Sequence, residues 1–103
     1  MPGGHVNRVE LVAEIVASSG LRRTPGGIAA VELGLRHAST QTEAGQRRQV
    51  GCELSGQAFG AVAESLSRHA VAQPIRLTGF LDRRSVRDPR PVLHITEFES
   101  IQE

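Results

Sequence analysis

The chain has 103 residues, of which 39% are apolar and 22% are charged, and its formal net charge at pH 7 is +1. This length and composition predict one globular domain and exclude a disordered chain. No apolar stretch approaches the roughly 18 residues of a membrane-spanning helix, and the single cysteine, Cys52, excludes an intramolecular disulfide. A cytoplasmic location is the default expectation.

The first half of the chain predicts two strands joined by a turn. Residues 1–6 predict a flexible N-terminus, and residues 7–103 predict one folded domain. From residue 7 to residue 15, apolar and polar residues alternate with a period of two, which is typical of a half-buried strand. The sequence Pro25-Gly26-Gly27 is a strong turn signal, and residues 28–37 alternate again as a second strand paired with the first. The polar stretch 38–46 predicts an exposed loop.

A third strand and a helix are predicted next. Residues 47–54 form the strand, with Val50, Cys52 and Leu54 directed towards the core. Four apolar residues then follow at the spacing of one helical face, i, i+3, i+4 and i+7: Phe59, Val62, Ala63 and Leu66. Ser55 is the predicted N-cap of this helix, and we expect Phe59 to be buried with the rest of the face.

The last part of the chain predicts two more strands separated by a basic loop. Residues 75–81 and 92–101 are the strands, and residues 83–91 are the loop. Three glycines, Gly34, Gly51 and Gly79, lie inside predicted strands, where bulges or the coiling of a small barrel would require them. Three strands, one helix and two strands are the order of an OB-fold. The sequence therefore predicts a mainly β protein, a five-stranded OB-fold barrel with one helix between strands 3 and 4.

Every basic side chain in the sequence is an arginine, twelve in all. Arginine keeps its charge at any working pH, binds phosphate through parallel N–H groups and stacks on nucleic-acid bases. Because the arginines cluster at predicted strand ends and turns, we predict a surface for a single nucleic-acid strand. The candidate contacts are Arg22, Arg23, Arg36, Arg47, Arg48, Arg83, Arg84, Arg87, Arg90 and Phe80.

The loop before the last strand is the first choice among these contacts. Residues 82–90 hold four arginines against two acids, and Pro89 stiffens the loop, so less entropy is lost on binding. The alternative is a solvated turn that is basic for solubility. For Arg22, Arg23 and Arg36 an ordinary exposed sheet edge fits equally well.

The alternation of side chains along a strand separates the remaining candidates. Neighbouring residues point to opposite sides of a sheet. Arg48 shares its side with Val50, which is assigned to the core, so Arg47 is the better candidate for the open face. Phe80 lies on the open face unless a bulge at Gly79 reverses its direction.

No group of residues in the sequence suggests a reaction. The histidines lie far apart, without the spacing of metal ligands, and there is no glycine-rich phosphate-binding motif. We therefore expect a non-enzymatic protein without metal, cofactor or small-molecule substrate.

Several stretches resemble the bacterial single-stranded DNA-binding proteins and their relatives. Residues 7–12 resemble the opening strand of that group, and residues 24–27 resemble its first hairpin turn. Within the group, residues 43–49, followed by Cys52, are similar to the central E-A-G-x-x-R-Q run of the primosomal replication protein N (PriB) family. Residues 75–81 and 92–94 are similar to its last two strands, and the whole resemblance covers residues 7–101.

This resemblance implies a dimeric OB-fold that binds single-stranded DNA and assists the PriA helicase and other primosome proteins at stalled replication forks. One member of the family has phenylalanine where this chain has Gln46, and tryptophan where it has Gly51, so two stacking groups of that member are absent here. Arginines stand where the basic loop of the family has lysines. Because each stacked base is worth about 1–3 kcal/mol, we expect modest affinity, little sequence preference and steep dependence on salt.

Two other functions stay open at this point. The chain would be a protein–protein adaptor if its arginines met an acidic protein surface, and an RNA-binding OB module if the strand it held were RNA. For its assembly we expect a homodimer, with the first strand as the interface because one edge of that strand is otherwise unpaired.

Overall fold

Six strands and one helix make up the fold. The computed structural model describes residues 4–69 and 71–101. The strands are β1 (Val9–Ser18), β2 (Arg22–Arg23), β3 (Ala29–Glu43), β4 (Gln46–Phe59), β5 (Pro74–Arg83) and β6 (Pro91–Ser100), and helix α1 (Ala61–Leu66) lies between β4 and β5. Residues 1–3 of the predicted N-terminal segment lie outside the described residues, as do residues 102–103 of the predicted domain.

The five long strands close into a barrel in the order β1-β5-β6-β4-β3. The first half of β1 pairs with β5, and its second half pairs with β3, which closes the barrel. All pairs are antiparallel except β4–β6, which meet at two parallel positions. The two-residue strand β2 extends the sheet beyond β3. The predicted fold, a mainly β five-stranded OB-fold barrel with a helix after the third long strand, is confirmed.

Alternate residues of the strands fill the barrel with small and branched apolar side chains. The buried cluster consists of Ala13, Ile15, Ala29, Val31, Leu33, Leu35, Ala58, Ala63, Leu66, Ile75, Leu77, Leu93 and Ile95. Fully burying one of the larger of these side chains contributes about 1.5–3 kcal/mol. Since only every second residue of each strand points into the core, the residues between them point outwards and form the outer surface of the barrel.

Strands β3 and β4 form a longer ribbon than the sequence predicts. Residues 38–46, predicted as a loop, are the end of β3, a two-residue turn and the start of β4. Both turn residues, Ala44 and Gly45, have positive φ, 53° and 77°, as a tight hairpin requires. Cys52, predicted to be in the core, is exposed, because in this part of the ribbon β3 and β4 pair only with each other.

The helix begins later than predicted. Its N-cap is Gly60, with φ 73° and no side-chain cap, whereas Ser55, the predicted N-cap, lies inside β4 opposite Gly34. Phe59 is the last residue of β4 and is 46% exposed, not buried. The reason is that β4 keeps its alternation to its end, so Ala58 points into the barrel and Phe59 points out.

Helix α1 is short, and its predicted inner face is partly confirmed. Ala63 and Leu66 are buried, and Val62 is half-buried against the same cluster. Within the described residues, no helix has the length and apolar character needed to cross a membrane.

The bulge predicted at Gly79 is present, and its geometry requires glycine. The register between β5 and β6 shifts between Thr78 and Gly79. A Cβ atom on Gly79 would lie 1.8 Å from the carbonyl oxygen of His94, so no side chain fits. The extra residue belongs to β6, so the alternation of β5 continues and Phe80 keeps its outward direction.

The other two glycines predicted at bulges differ from each other. Gly34 lies opposite a register shift in β1, between Ile15 and Ala17, and Gly51 lies in unbroken β3–β4 pairing, without a bulge.

Candidate nucleic-acid interface

The strand register lines up four residues across the outer face of the sheet. Glu32 of β3 lies opposite Gln57 of β4, Gln57 lies opposite His94 of β6, and His94 lies opposite Phe80 of β5. Residues that are directly paired point to the same side of a sheet. These four side chains therefore form a row on one surface, which we call the outer face.

A second row runs beside the first. Arg22 of β2 lies opposite Ala30 of β3, and Ala30 lies opposite Phe59 of β4. The outer face thus carries an arginine at the β2 edge and aromatic rings towards β5.

Three rings of the outer face stack on one another. The ring centroids of Phe80 and His94 are 5.0 Å apart with an interplanar angle of 7°, and those of His94 and Phe59 are 6.1 Å apart with an angle of 27°. Phe59 and Phe80 are 46% and 38% exposed. Exposed, nearly parallel rings on a sheet are a platform on which unpaired bases stack.

Sequence reasoning missed two of these three rings. Phe59 matches the apolar spacing of a helix, and His94 was considered only as a metal ligand. The available signal for Phe59 was the glycine directly after it, because Gly60 ends β4 and turns the chain into the helix with positive φ. The available signal for His94 was its alternation with buried neighbours in β6, Leu93 and Ile95.

Glu32 connects the outer face to two arginine clusters. Its carboxylate lies 3.2 Å from the guanidinium of Arg22 and 3.6 Å from that of Arg84. Arg84 belongs to the loop after β5. The fold therefore brings the first basic turn and the basic loop to the same carboxylate.

Three other candidate arginines also have carboxylate partners. Arg36 reaches Glu14 of β1 at 3.5 Å, Arg48 pairs with Glu43 across the ribbon, and Arg90 pairs with Asp88 at 2.7 Å. These pairs are largely exposed, and exposed ion pairs contribute little to stability.

The remaining candidate arginines form no salt bridge with any described carboxylate. They are Arg23, Arg47, Arg83 and Arg87, and all four are exposed. Arg23 donates to the carbonyl oxygen of Gly27 at 3.4 Å. These cations are the ones with most donors left for phosphate.

The basic loop, residues 84–90, is held by its own hydrogen bonds. The backbone N–H of Arg84 donates to the carbonyl oxygen of Arg90 at 2.9 Å, and the backbone N–H of Asp88 donates to Oγ of Ser85 at 3.1 Å. The side-chain hydrogen bond from Arg90 lowers the pKa of Asp88 from 3.8 to about 2. The loop therefore presents its arginines from an ordered backbone.

The structure divides the predicted contacts into two regions. Arg22, Arg84 and Phe80 lie on or against the outer face, and Arg83, Arg87 and Arg90 lie in and beside the adjacent loop. Arg47 and Arg48 lie near the turn of the β3–β4 ribbon. Arg36 is directed to Glu14 of β1, and Arg23 lies beside the β2–β3 turn.

A cavity of about 610 Å³ lies outside this surface, between α1 and strands β1, β5 and β6. Its charged lining is mixed: Arg8, Arg76, Glu10, Glu97 and Glu99. Arg76 is paired with Glu99 at 3.6 Å and lies 4.0 Å from Glu10. With three acids among its five charged residues, this cavity does not extend the basic surface.

Comparison with known proteins gives a consistent set of relatives. A family model described as another single-strand binding protein family matches residues 7–97. The chain is 31% identical to replication restart protein PriB of Bordetella pertussis over 96 residues, covering 93% of this chain and 90% of that one. It is 34% identical to PriB of Neisseria meningitidis serogroup B over 100 residues, covering 97% and 96% of the two chains.

Solved structures show the same relationship. The structure of PriB from Ralstonia solanacearum superimposes with a TM-score of 0.85 at 30% identity, covering 95% of this chain and all of that one. The single-stranded DNA-binding protein from Thermus aquaticus superimposes with a TM-score of 0.75 at 25% identity and covers 94% of this chain and 50% of that one.

Proposed function

This chain belongs to the PriB family of replication restart proteins, within the wider single-strand binding protein family, and we propose that it binds single-stranded DNA during replication restart. One observation carries the proposal. The stacked rings of Phe59, His94 and Phe80 lie on the same face that receives Arg22 and Arg84, with the two phenylalanines exposed and His94 half-buried between them. Stacking and charge are the two means by which proteins hold an unpaired strand.

The two parts of the outer face have separate roles in this mechanism. Bases stack on the rings, at about 1–3 kcal/mol for each base. The arginines neutralise phosphates and release counterions, so the logarithm of affinity falls with the logarithm of salt concentration, with a slope of about −0.7 for each phosphate. In this mechanism Phe59, Phe80 and His94 provide the surfaces on which bases stack, because Gln46 and Gly51 have no aromatic ring.

The other candidate arginines extend this surface in the proposal. Arg83, at the end of β5, and Arg87 and Arg90, in the basic loop, contact phosphates beside the outer face. Arg47 and Arg48 contact longer strands from the ribbon, and Arg23 and Arg36 contribute at its margins.

The chain is a non-enzymatic accessory protein in this proposal. We infer a role with the PriA helicase and other primosome proteins in the cytoplasm, and the names of its relatives support the replication-restart part of this role. A homodimer would present two outer faces to one DNA strand. Once one face has bound, the other face would bind the same strand without a second diffusional encounter.

Fluorescence anisotropy with labelled oligo-dT tests this function. We expect saturable binding that weakens steeply with salt. Replacing two rings together, Phe59→Ala with Phe80→Ala, should weaken binding at least about 30-fold, because two stacking platforms are lost. Val71→Ala is the control, since Val71 is an apolar residue that is 59% exposed in the connection between α1 and β5 and belongs to no strand of the outer face.

Several outcomes would contradict this function. Binding that is insensitive to salt, a preference for duplex DNA, or an unchanged affinity in the double variant would each overturn it. Stronger competition by oligo-U than by oligo-dT would favour the RNA-binding function. A folded chain that ignores oligonucleotides but alters the activity of a helicase would favour the adaptor.

A further inference from the structure

Glu32 stands between two arginines that come from distant parts of the chain. One carboxylate oxygen, Oε2, lies 3.2 Å from Nη2 of Arg22 and 3.6 Å from Nη2 of Arg84. Arg22 belongs to β2, and Arg84 belongs to the loop between β5 and β6. A single oxygen therefore engages two guanidinium groups that only the folded barrel brings together.

The backbone of Glu32 is fixed on both sides by Ser19. The N–H of Glu32 donates to Oγ of Ser19 at 3.0 Å, and the N–H of Ser19 donates to the carbonyl oxygen of Glu32 at 2.9 Å. The three charged side chains nevertheless stay accessible, with 56% exposure for Arg22, 40% for Arg84 and 36% for Glu32. An anion from solution can therefore reach this site.

The two arginines have the chemistry of a phosphate-binding site, and the Glu32 carboxylate is the anion that they already hold. Guanidinium groups bind carboxylate and phosphate through the same N–H donors. A cavity of about 260 Å³ opens beside Glu32 and Arg84, and Ser18 and Ser55 also line it. A DNA phosphate that approached the Glu32 carboxylate would meet both Arg84, which lines this cavity, and Arg22, which does not. It would also meet the negative charge of Glu32 between them.

We propose that Glu32 is an affinity-limiting residue, an internal competitor that occupies the place of a DNA phosphate between Arg22 and Arg84. It keeps the two guanidinium groups side by side while no DNA is bound, and it yields them to a phosphate when a strand binds. This inference rests on the proposed single-stranded DNA binding.

The test compares two variants that change the net charge equally. In Glu32→Gln the carboxylate between the arginines becomes a neutral amide of the same shape. In Glu99→Gln the same change breaks the exposed pair with Arg76, 3.6 Å away, in the mixed-charge cavity. Affinity for oligo-dT is measured by anisotropy over a salt series.

We expect Glu32→Gln to bind oligo-dT about tenfold more tightly than wild type, because two guanidinium groups lose the carboxylate that competes with a DNA phosphate for them. Its log–log salt slope should steepen by about 0.7 for each phosphate gained, whereas Glu99→Gln should stay close to wild type. When Arg22→Ala and Arg84→Ala are both added to Glu32→Gln, the gain should disappear.

Each of the remaining outcomes overturns the inference. If Glu32→Gln and Glu99→Gln behave alike, or if the gain survives loss of both arginines, net charge is the cause and the inference is overturned while the proposed function stands. If Glu32→Gln binds more weakly, Glu32 supports binding and the inference is again overturned. If no folded variant binds, as judged by circular dichroism, both the inference and the proposed function fail.

Discussion

At the scale of single residues, the Asp88–Arg90 pair shows how the basic loop keeps its shape. Arg90 donates from Nε to Oδ1 of Asp88 at 2.9 Å and from Nη2 to Oδ2 at 2.7 Å. This two-point contact has the fork geometry that is strongest for an arginine and a carboxylate. Arg90 therefore orders the loop, whereas Arg87 forms no salt bridge with a described carboxylate.

The pKa of Asp88 provides a direct measurement of this contact. Because the hydrogen bonds from Arg90 lower that pKa from 3.8 to about 2, the contribution of the pair to loop order is complete above pH about 4. It is lost as the pH falls through about 2. We expect the carboxyl carbon of Asp88 to titrate near pH 2 by NMR. In Arg90→Ala it should titrate at a higher pH that stays below 3.8, because the backbone N–H of residue 90 still donates to the carboxylate.

Arg87→Ala is the matched control for this titration, because Arg87 is in the same loop and forms no salt bridge with a described carboxylate. It should leave the midpoint near pH 2. A wild-type midpoint close to 3.8 would show that the pair is absent in solution.

Which arginines are paired was beyond sequence reasoning. The sequence places Arg84 in a basic loop and Arg22 before a turn, but their common partner Glu32 belongs to a separate strand. Such pairs depend on which strands become neighbours in the closed barrel. By contrast, the local pair of Asp88 and Arg90 lies within one loop of the chain.

At the scale of secondary-structure elements, the β5–β6 bulge positions the stacked rings. Gly79 contacts the backbone at His94, and Phe80 follows Gly79 directly. A side chain at residue 79 would therefore push apart the two strands whose rings stack at 5.0 Å. Stability and the outer face depend on the same glycine.

We expect Gly79→Ala to lower the free energy of unfolding by about 1–3 kcal/mol, the usual cost of an added group in a packed site. Gly51→Ala is the control, because a Cβ there would lie 3.6 Å from the carbonyl oxygen of His37, an ordinary contact. Urea unfolding measures the free energy of unfolding of both variants. Equal stability of the two variants would mean that the bulge relaxes without cost.

The elements predicted correctly are those with a clear alternation next to the core. The strands containing Ile15, Leu35 and Leu77 follow a period of two because one side of each is buried. Residues 38–46 lack that signal, since the ribbon has solvent on both sides and its polar sequence is indistinguishable from that of a loop. Phe59 satisfies both strand and helix spacing, and the tertiary pairing of β4 with β3 decides between them.

At the scale of the whole molecule, the first part of β1 has one open edge. Residues 9–13 of β1 pair with β5 on one side, and no described strand pairs with them on the other. Nδ1 of His37 donates to the carbonyl oxygen of Val12 at 2.6 Å, which satisfies one backbone group of that edge. Open edges of this kind pair readily with a second chain.

The side chains around this edge favour self-association. Val12 is 38% exposed and lines a cavity of about 210 Å³ together with Ala13, Ala38 and Pro74 and with the paired charges of Glu14 and Arg36. We therefore expect a homodimer in which two copies of β1 pair across a two-fold axis, so that each copy contributes the same surface.

Val12→Glu should weaken this dimer, because two carboxylates would meet near the axis and like charges opposite each other are destabilising. Val86→Glu is the control, since Val86 is 80% exposed in the basic loop, away from the β1 edge. Sedimentation equilibrium gives the dimer dissociation constant, and we expect it to rise for Val12→Glu but not for Val86→Glu. A wild-type chain that sediments as a monomer, or equal dissociation constants for the two variants, would exclude β1 as the interface.

If Val12→Glu dissociates the dimer, its affinity for long oligo-dT should fall while its affinity for short oligo-dT is kept, because only the long strand reaches two outer faces.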